Sequence, residues 1–133
     1  MQRQLSIPAL GLLLLFCLTP LRTLAEGLVI NEFLAGNSSA FVDEDSDSSD
    51  WIEIYNNSTN GATLSLTDLY LTDDANNLTK WRFPVDELAP GQFRIVFASN
   101  KDRSVAGQEL HTNFRLSGSG EYLALVDGDG FTV

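Results

Sequence analysis

Apolar residues in this chain recur at every second position, the spacing of a strand and not of a helix. The runs LVINEFL (28–34), WIEIYN (51–56), WRF (81–83), QFRIVFA (92–98) and EYLALV (121–126) are short and rich in β-branched and aromatic residues, so each predicts a strand. TLSL (63–66) and LYL (69–71) add two more. Within these runs Ile52 and Ile54 share one face, with Trp51, Glu53 and Tyr55 on the other; Phe93, Ile95 and Phe97 likewise share a face. No window of a dozen residues combines helically spaced apolar positions with a cap at each end. Between the runs lies turn chemistry. Pro90-Gly91 suits the centre of a type II turn, and Asn60-Gly61 and Asp127-Gly128-Asp129-Gly130 suit tight reversals with positive φ. Residues 100–109, NKDRSVAGQE, read as a longer exposed loop. About seven short strands with frequent turns predict an all-β domain, an antiparallel sandwich or barrel.

One apolar run breaks the period. Ile7 to Leu18 is almost wholly apolar, follows Arg3, and precedes Thr23 and Ala25 at the small-residue positions of a cleavage site. This is the layout of a secretory signal peptide spanning residues 1–25. The run is short for a membrane span, which needs about 20 residues. Phe16 stands where a lipoprotein cysteine at 17 would need a small residue. Cleavage leaves one domain, residues 26–133, of 108 residues. It carries no cysteine, hence no disulfide and no thiolate metal site, and must stand on its core alone. Two of the eight basic residues leave with the signal and all 18 acidic ones stay, so the net charge goes from −10 to −12. That balance argues against nucleic acid and anionic lipid as partners, and with no second apolar run of spanning length no membrane insertion is expected after cleavage. It suits a basic protein partner or loosely held cations.

The ordered set LVINEFL, DWIEIYN, LSLTDLYLTDD, WRFP, LAPGQFRIVFA and NFRLSGSGEYLALVDGDG resembles a lamin tail domain, known from nuclear lamins and from secreted bacterial proteins. The exported context is similar to the bacterial branch. The resemblance implies an immunoglobulin-like antiparallel β-sandwich and a non-catalytic interaction module. In bacteria such domains accompany secreted hydrolases and spore-coat-type kinases. The family supplies no catalytic residues. It also implies that Phe131-Thr132-Val133 begins a last strand that is incomplete here, because the DGDG hairpin signal needs a longer partner strand.

Chemistry concentrates in DEDSDSSD, residues 43–50. Asp43, Asp45 and Asp47 have D-x-D-x-D spacing, and with Asp50 they are the calcium candidates of the chain. The EF-hand pattern fails, since its sixth and twelfth positions hold Ser48 and Ile54 in place of Gly and Glu. The expected outcome is a solvated loop held open by repulsion among its carboxylates. Glu32 and Glu53, with Trp51 and Trp81 as sugar platforms, have the ingredients of a glycosidase pair. The expected roles are structural, with Asn31 and Glu53 accepting backbone N–H bonds at the sandwich rim. His111, the only histidine, has no G-x-S-x-G partner for a triad, and a zinc site built on it would depend on carboxylates. It reads as a loop or strand-edge histidine. Gly118, Gly120, Gly128 and Gly130 lead into or out of strands and not into a helix, so they are turn glycines and not a phosphate loop. Sequons begin at Asn37, Asn56, Asn57 and Asn77.

The expectation is therefore a secreted or surface-exposed, non-enzymatic module without a cofactor, which binds a protein partner or another domain of its own polypeptide. The alternatives are an N-terminal accessory domain of a larger secreted hydrolase or kinase, and a calcium-dependent adhesion or carbohydrate-binding domain.

Overall fold

The structure is a computed structural model describing residues 27–130. The expected signal peptide (residues 1–25) and the expected start of a last strand (residues 131–133) lie outside the described residues. Among them there are nine strands and no helix: β1 (Leu28–Leu34), β2 (Asp50–Asn56), β3 (Leu64–Ser65), β4 (Tyr70–Thr72), β5 (Trp81–Arg82), β6 (Glu87–Leu88), β7 (Phe93–Ala98), β8 (Leu110–His111) and β9 (Ala124–Val126). They form a four-stranded sheet in the order β1-β2-β7-β8, a pair β3-β6, and a three-stranded sheet β5-β4-β9. Every pairing is antiparallel except β7 with β8, which is parallel, so the expected purely antiparallel arrangement is mixed at one edge.

The alternation in the sequence explains the layers. Ile52, Ile54 and Val96 turn inward from the large sheet and meet Leu71, Trp81, Leu88 and Leu125 from the two small sheets and Leu66 just after β3. Each such side chain contributes about 1.5–3 kcal/mol when fully buried. Trp81 and Phe83 add an edge-to-face contact at 5.0 Å. The turn after β6 has the expected type II form: Gln92 N–H donates to the Ala89 carbonyl at 3.0 Å, and Gly91 takes φ 77°. Asn56 is fully buried and donates its amide to the Ala62 and Leu88 carbonyls, so this sequon asparagine is a structural tie.

Two features go beyond the sequence reading. Phe93, Ile95 and Phe97 share a face as expected, and it is the outer one. Register pairs Trp51 with Phe97, Glu53 with Ile95 and Tyr55 with Phe93, while Ile52 faces Val96 on the core side. Phe97 is nonetheless only 2% exposed, because the rings of Phe41 and His111 stack on it at 5.4 and 5.3 Å. In addition, β1 carries a bulge between Ile30 and Glu32, which brings Glu32 opposite Glu53 and Phe33 opposite Ile52.

Candidate functional site

The acidic segment folds back on the end of the large sheet. It does not stand open. Asp43 organises it: its Oδ1 accepts the N–H groups of Asp45 (3.1 Å) and Asp47 (3.0 Å), and its Oδ2 accepts the Ser49 hydroxyl at 2.7 Å. Asp43 N–H donates to the Asp47 carbonyl and Ser46 N–H to the Asp43 carbonyl, closing a turn in which Ser46 takes φ 66°. At the loop's base, Asp50 Oδ1 accepts the N–H groups of Gly36 and Asn37 at 2.7 and 2.8 Å. Asn37 in turn donates to the Phe41 and Ser49 carbonyls. The loop is thus stitched before any cation is considered.

The cation comes from the chain itself. Lys101 Nζ lies 2.7 Å from Asp43 Oδ2, 2.7 Å from Asp45 Oδ2 and 3.0 Å from Asp47 Oδ2. An ammonium has three donors, and here each meets one carboxylate of the D-x-D-x-D run. Repulsion among those carboxylates, the reason to expect an open loop, is offset by this shared lysine. The Asp43 side chain has no solvent exposure. Burial pushes its carboxyl up, but hydrogen bonds from Lys101, Ser49 and the Asp47 N–H outweigh that and hold it at about 2. The Lys101 hydrogen bond likewise lowers Asp45. For Lys101, burial works against the charged form, and bonds to Asp43, Asp45 and Asp47 override it, raising the ammonium above its usual range.

Lys101 is held in place by its neighbours. Asn100 and Asp102 both adopt left-handed φ, 62° and 52°. Asn100 N–H donates to the Phe114 carbonyl, Asp102 N–H to Thr112, and Arg103 and His111 exchange backbone bonds at 2.9 Å each. So the first part of the stretch read as a free loop is wired to residues 111–115, while Ser104 to Glu109 is exposed as expected. Arg103 Nη1 reaches Glu44 at 2.6 Å and Asp45 at 2.9 Å. The four calcium candidates therefore do not converge: three meet at Lys101 and Asp50 serves the backbone.

Beside this cluster lies a second. His111, fully buried in edge strand β8, has Nδ1 2.9 Å from Ser99 Oγ. Its Nε2 lies 3.8 Å from Glu44 Oε1 and 4.0 Å from Glu109 Oε2, and is buried without a hydrogen-bond partner among the described residues. Burial lowers its pKa, and the Lys101 charge adds to the effect. No local sequence signal foreshadows this trio, which draws on a loop, a turn and a two-residue strand.

The other candidates separate. Among the described residues Asn31 and Glu53 do not accept the backbone N–H bonds expected of them; Asn31 Nδ2 donates to Glu53 Oε1 at 2.7 Å on the exposed outer face. Trp81 is in the core and Trp51 on the outer face, so the two indoles make no common sugar platform. Glu32 and Glu53 are cross-strand neighbours on one sheet.

The model of the Lamin Tail Domain family matches residues 23–133, most of the chain and the whole of the described sandwich. No curated protein and no solved structure matches the chain. The all-β layers, the inward isoleucines of DWIEIYN and the Pro90-Gly91 turn all lie within that span. The chain belongs to the lamin tail domain family, a family of non-catalytic immunoglobulin-like domains.

Proposed function

We propose that this domain is a non-catalytic interaction module of an exported protein, and that it docks a basic, apolar-faced protein surface or neighbouring domain through the outer face of its large sheet. The observation that carries this is the state of that face. One end is covered, where Phe41 seals Phe97. The other end presents Tyr55 stacked on Phe93 at 4.4 Å, with Phe93 half exposed, beside Val29 and Ile95. Glu32 and Glu53 border this strip from the same pair of strands. Aromatic residues beside carboxylates suit a partner offering apolar groups and Lys or Arg. Charge points the same way. Lys80, Arg82, Arg94, Lys101 and Arg103 each pair with an acid of this chain, so the surplus left for a partner is carboxylate. The signal-like N-terminus supports an exported setting, and the family match supports an interaction role.

A photo-crosslinking side chain at position 93, with one at the exposed Val85 as control, tests this in the exported full chain. Position 93 is expected to give a discrete protein adduct, or an internal one to a further domain, that Val85 does not give. Equal labelling from both positions sinks the docking face. A purified domain that hydrolyses substrate or transfers phosphate would sink the non-catalytic reading.

A further inference from the structure

We infer that His111, Glu44 and Glu109 form a binding site for a borderline divalent transition-metal ion such as zinc, separate from the lysine-filled aspartate cluster. The first ground is the donor set. Imidazole nitrogen with two carboxylates suits zinc, cobalt or nickel, whereas calcium prefers an all-oxygen shell. The second is geometry. One ligand atom from each residue lies within 4.8 Å of the others, and Nε2 stands 3.8 and 4.0 Å from the two carboxylate oxygens. Tetrahedral bonds of about 2.0–2.2 Å set ligand atoms roughly 3.3–3.6 Å apart, so an ion need draw Nε2 toward each carboxylate by only about half an ångström.

The third ground is the buried nitrogen itself. Nε2 is buried, has no hydrogen-bond partner and faces two carboxylates that lie beyond hydrogen-bond reach. A ligating histidine needs its other nitrogen fixed by an acceptor, and Ser99 Oγ stands 2.9 Å from Nδ1. With the proton on Nδ1 donated to Ser99, the Nε2 lone pair points to the carboxylates. The acids are held too: Glu109 Oε2 accepts the Glu44 N–H at 2.6 Å, and Glu44 Oε1 accepts Arg103. A carboxylate has about four lone-pair directions, so these bonds leave room for an ion and orient the groups toward it. Both acid side chains are about 40% exposed, which gives an entry path from solvent and a position for water as fourth ligand. A bound ion would tie the acidic loop to β8 and to the 104–109 turn.

Zinc and calcium, each added alone to the purified metal-free chain, test this by calorimetry and thermal melting, with NMR of the His111 ring nitrogens. Zinc is expected to bind one equivalent, raise the melting midpoint and shift Nε2. Second-shell losses alone cost about 10–100-fold in affinity, so Glu44→Gln or Glu109→Gln should each weaken binding by more than roughly tenfold, with Glu87→Gln as an unaffected control. The site is refuted if zinc leaves Nε2 unmoved, if calcium binds as well, or if the Glu44→Gln/Glu109→Gln double variant, folded by circular dichroism, keeps wild-type affinity.

Discussion

The two sides of β2 are held by opposite means. On one side Ile52 and Ile54 are buried among leucines and aromatic rings, without a charge in the cluster. At the strand's start, the preceding loop is held by a lysine shared among three aspartates and an arginine shared between two acids. Apolar burial responds little to pH or salt. Ion pairs respond to both, and their strength depends on how far water is excluded. The domain thus joins a framework indifferent to ionic conditions to a loop governed by them.

The largest expected effect tests the framework. Ile54→Ala should cost about 2–5 kcal/mol, read as a lower midpoint in denaturant with the whole domain affected. Lys101→Met comes next. It strands a buried carboxylate, and its cost should lie between that of an exposed pair and that of a broken buried pair, about 1–3 kcal/mol. Hydrogen exchange should show the change confined to residues 36–50, and millimolar calcium should restore part of the protection because it replaces the missing cation. If Lys101→Met melts the domain as deeply as Ile54→Ala, loop and framework are one cooperative unit and the contrast fails.

Acid gives a smaller and graded effect. The folded Asp43 pKa of about 2 lies below its ordinary value of 3.8, so its stabilising contribution is complete above pH 4 to 5. It is lost as pH falls through the window from about 4 to 2. Loop protection should therefore persist at pH 5 and disappear near pH 2, with a carboxyl-carbon NMR titration of Asp43 tracking it; release of the loop already at pH 5 would contradict the assignment. Smallest is salt. At 1 M the screening length is about 3 Å, so the exposed Arg103–Glu44 pair should loosen before the half-buried Lys101 cluster, while the core midpoint holds. A loop that loses all protection in salt would mean the lysine is more solvated than its contacts indicate.

Much of the framework was legible in the sequence because a period of two survives in long strands. β1, β2 and β7 are six or seven residues each, and their alternation placed Ile52 and Ile54 on one face and Trp51 and Tyr55 on the other. β6 and β8 are two residues long, too short to carry a period. Nor does alternation say which of two apolar faces of β7 is the core. That depended on Phe41 and His111 covering Phe97, residues from two other parts of the chain. The site was less legible. DEDSDSSD announces negative charge, but its counter-ion is 58 residues from Asp43 in sequence, in a stretch that looks like an ordinary polar loop. The His111 cluster spans a similar distance, 65 residues between Glu44 and Glu109. Local sequence shows which groups carry charge; only the fold shows which charges meet.

That long separation has a kinetic side. During synthesis the acidic segment is complete well before residue 101 exists, so until then Asp43, Asp45 and Asp47 lack the lysine they close on. The strand that follows, WIEIYN, is apolar on one face and prone to pair with other strands. A dense run of charge directly before such a strand acts as a gatekeeper against aggregation. The same aspartates therefore have two successive tasks: they shield the β7-facing edge of β2 while only β1 is there to pair with it, and once β7 and the Lys101 turn arrive they become the latch that fixes the loop over the finished sheet.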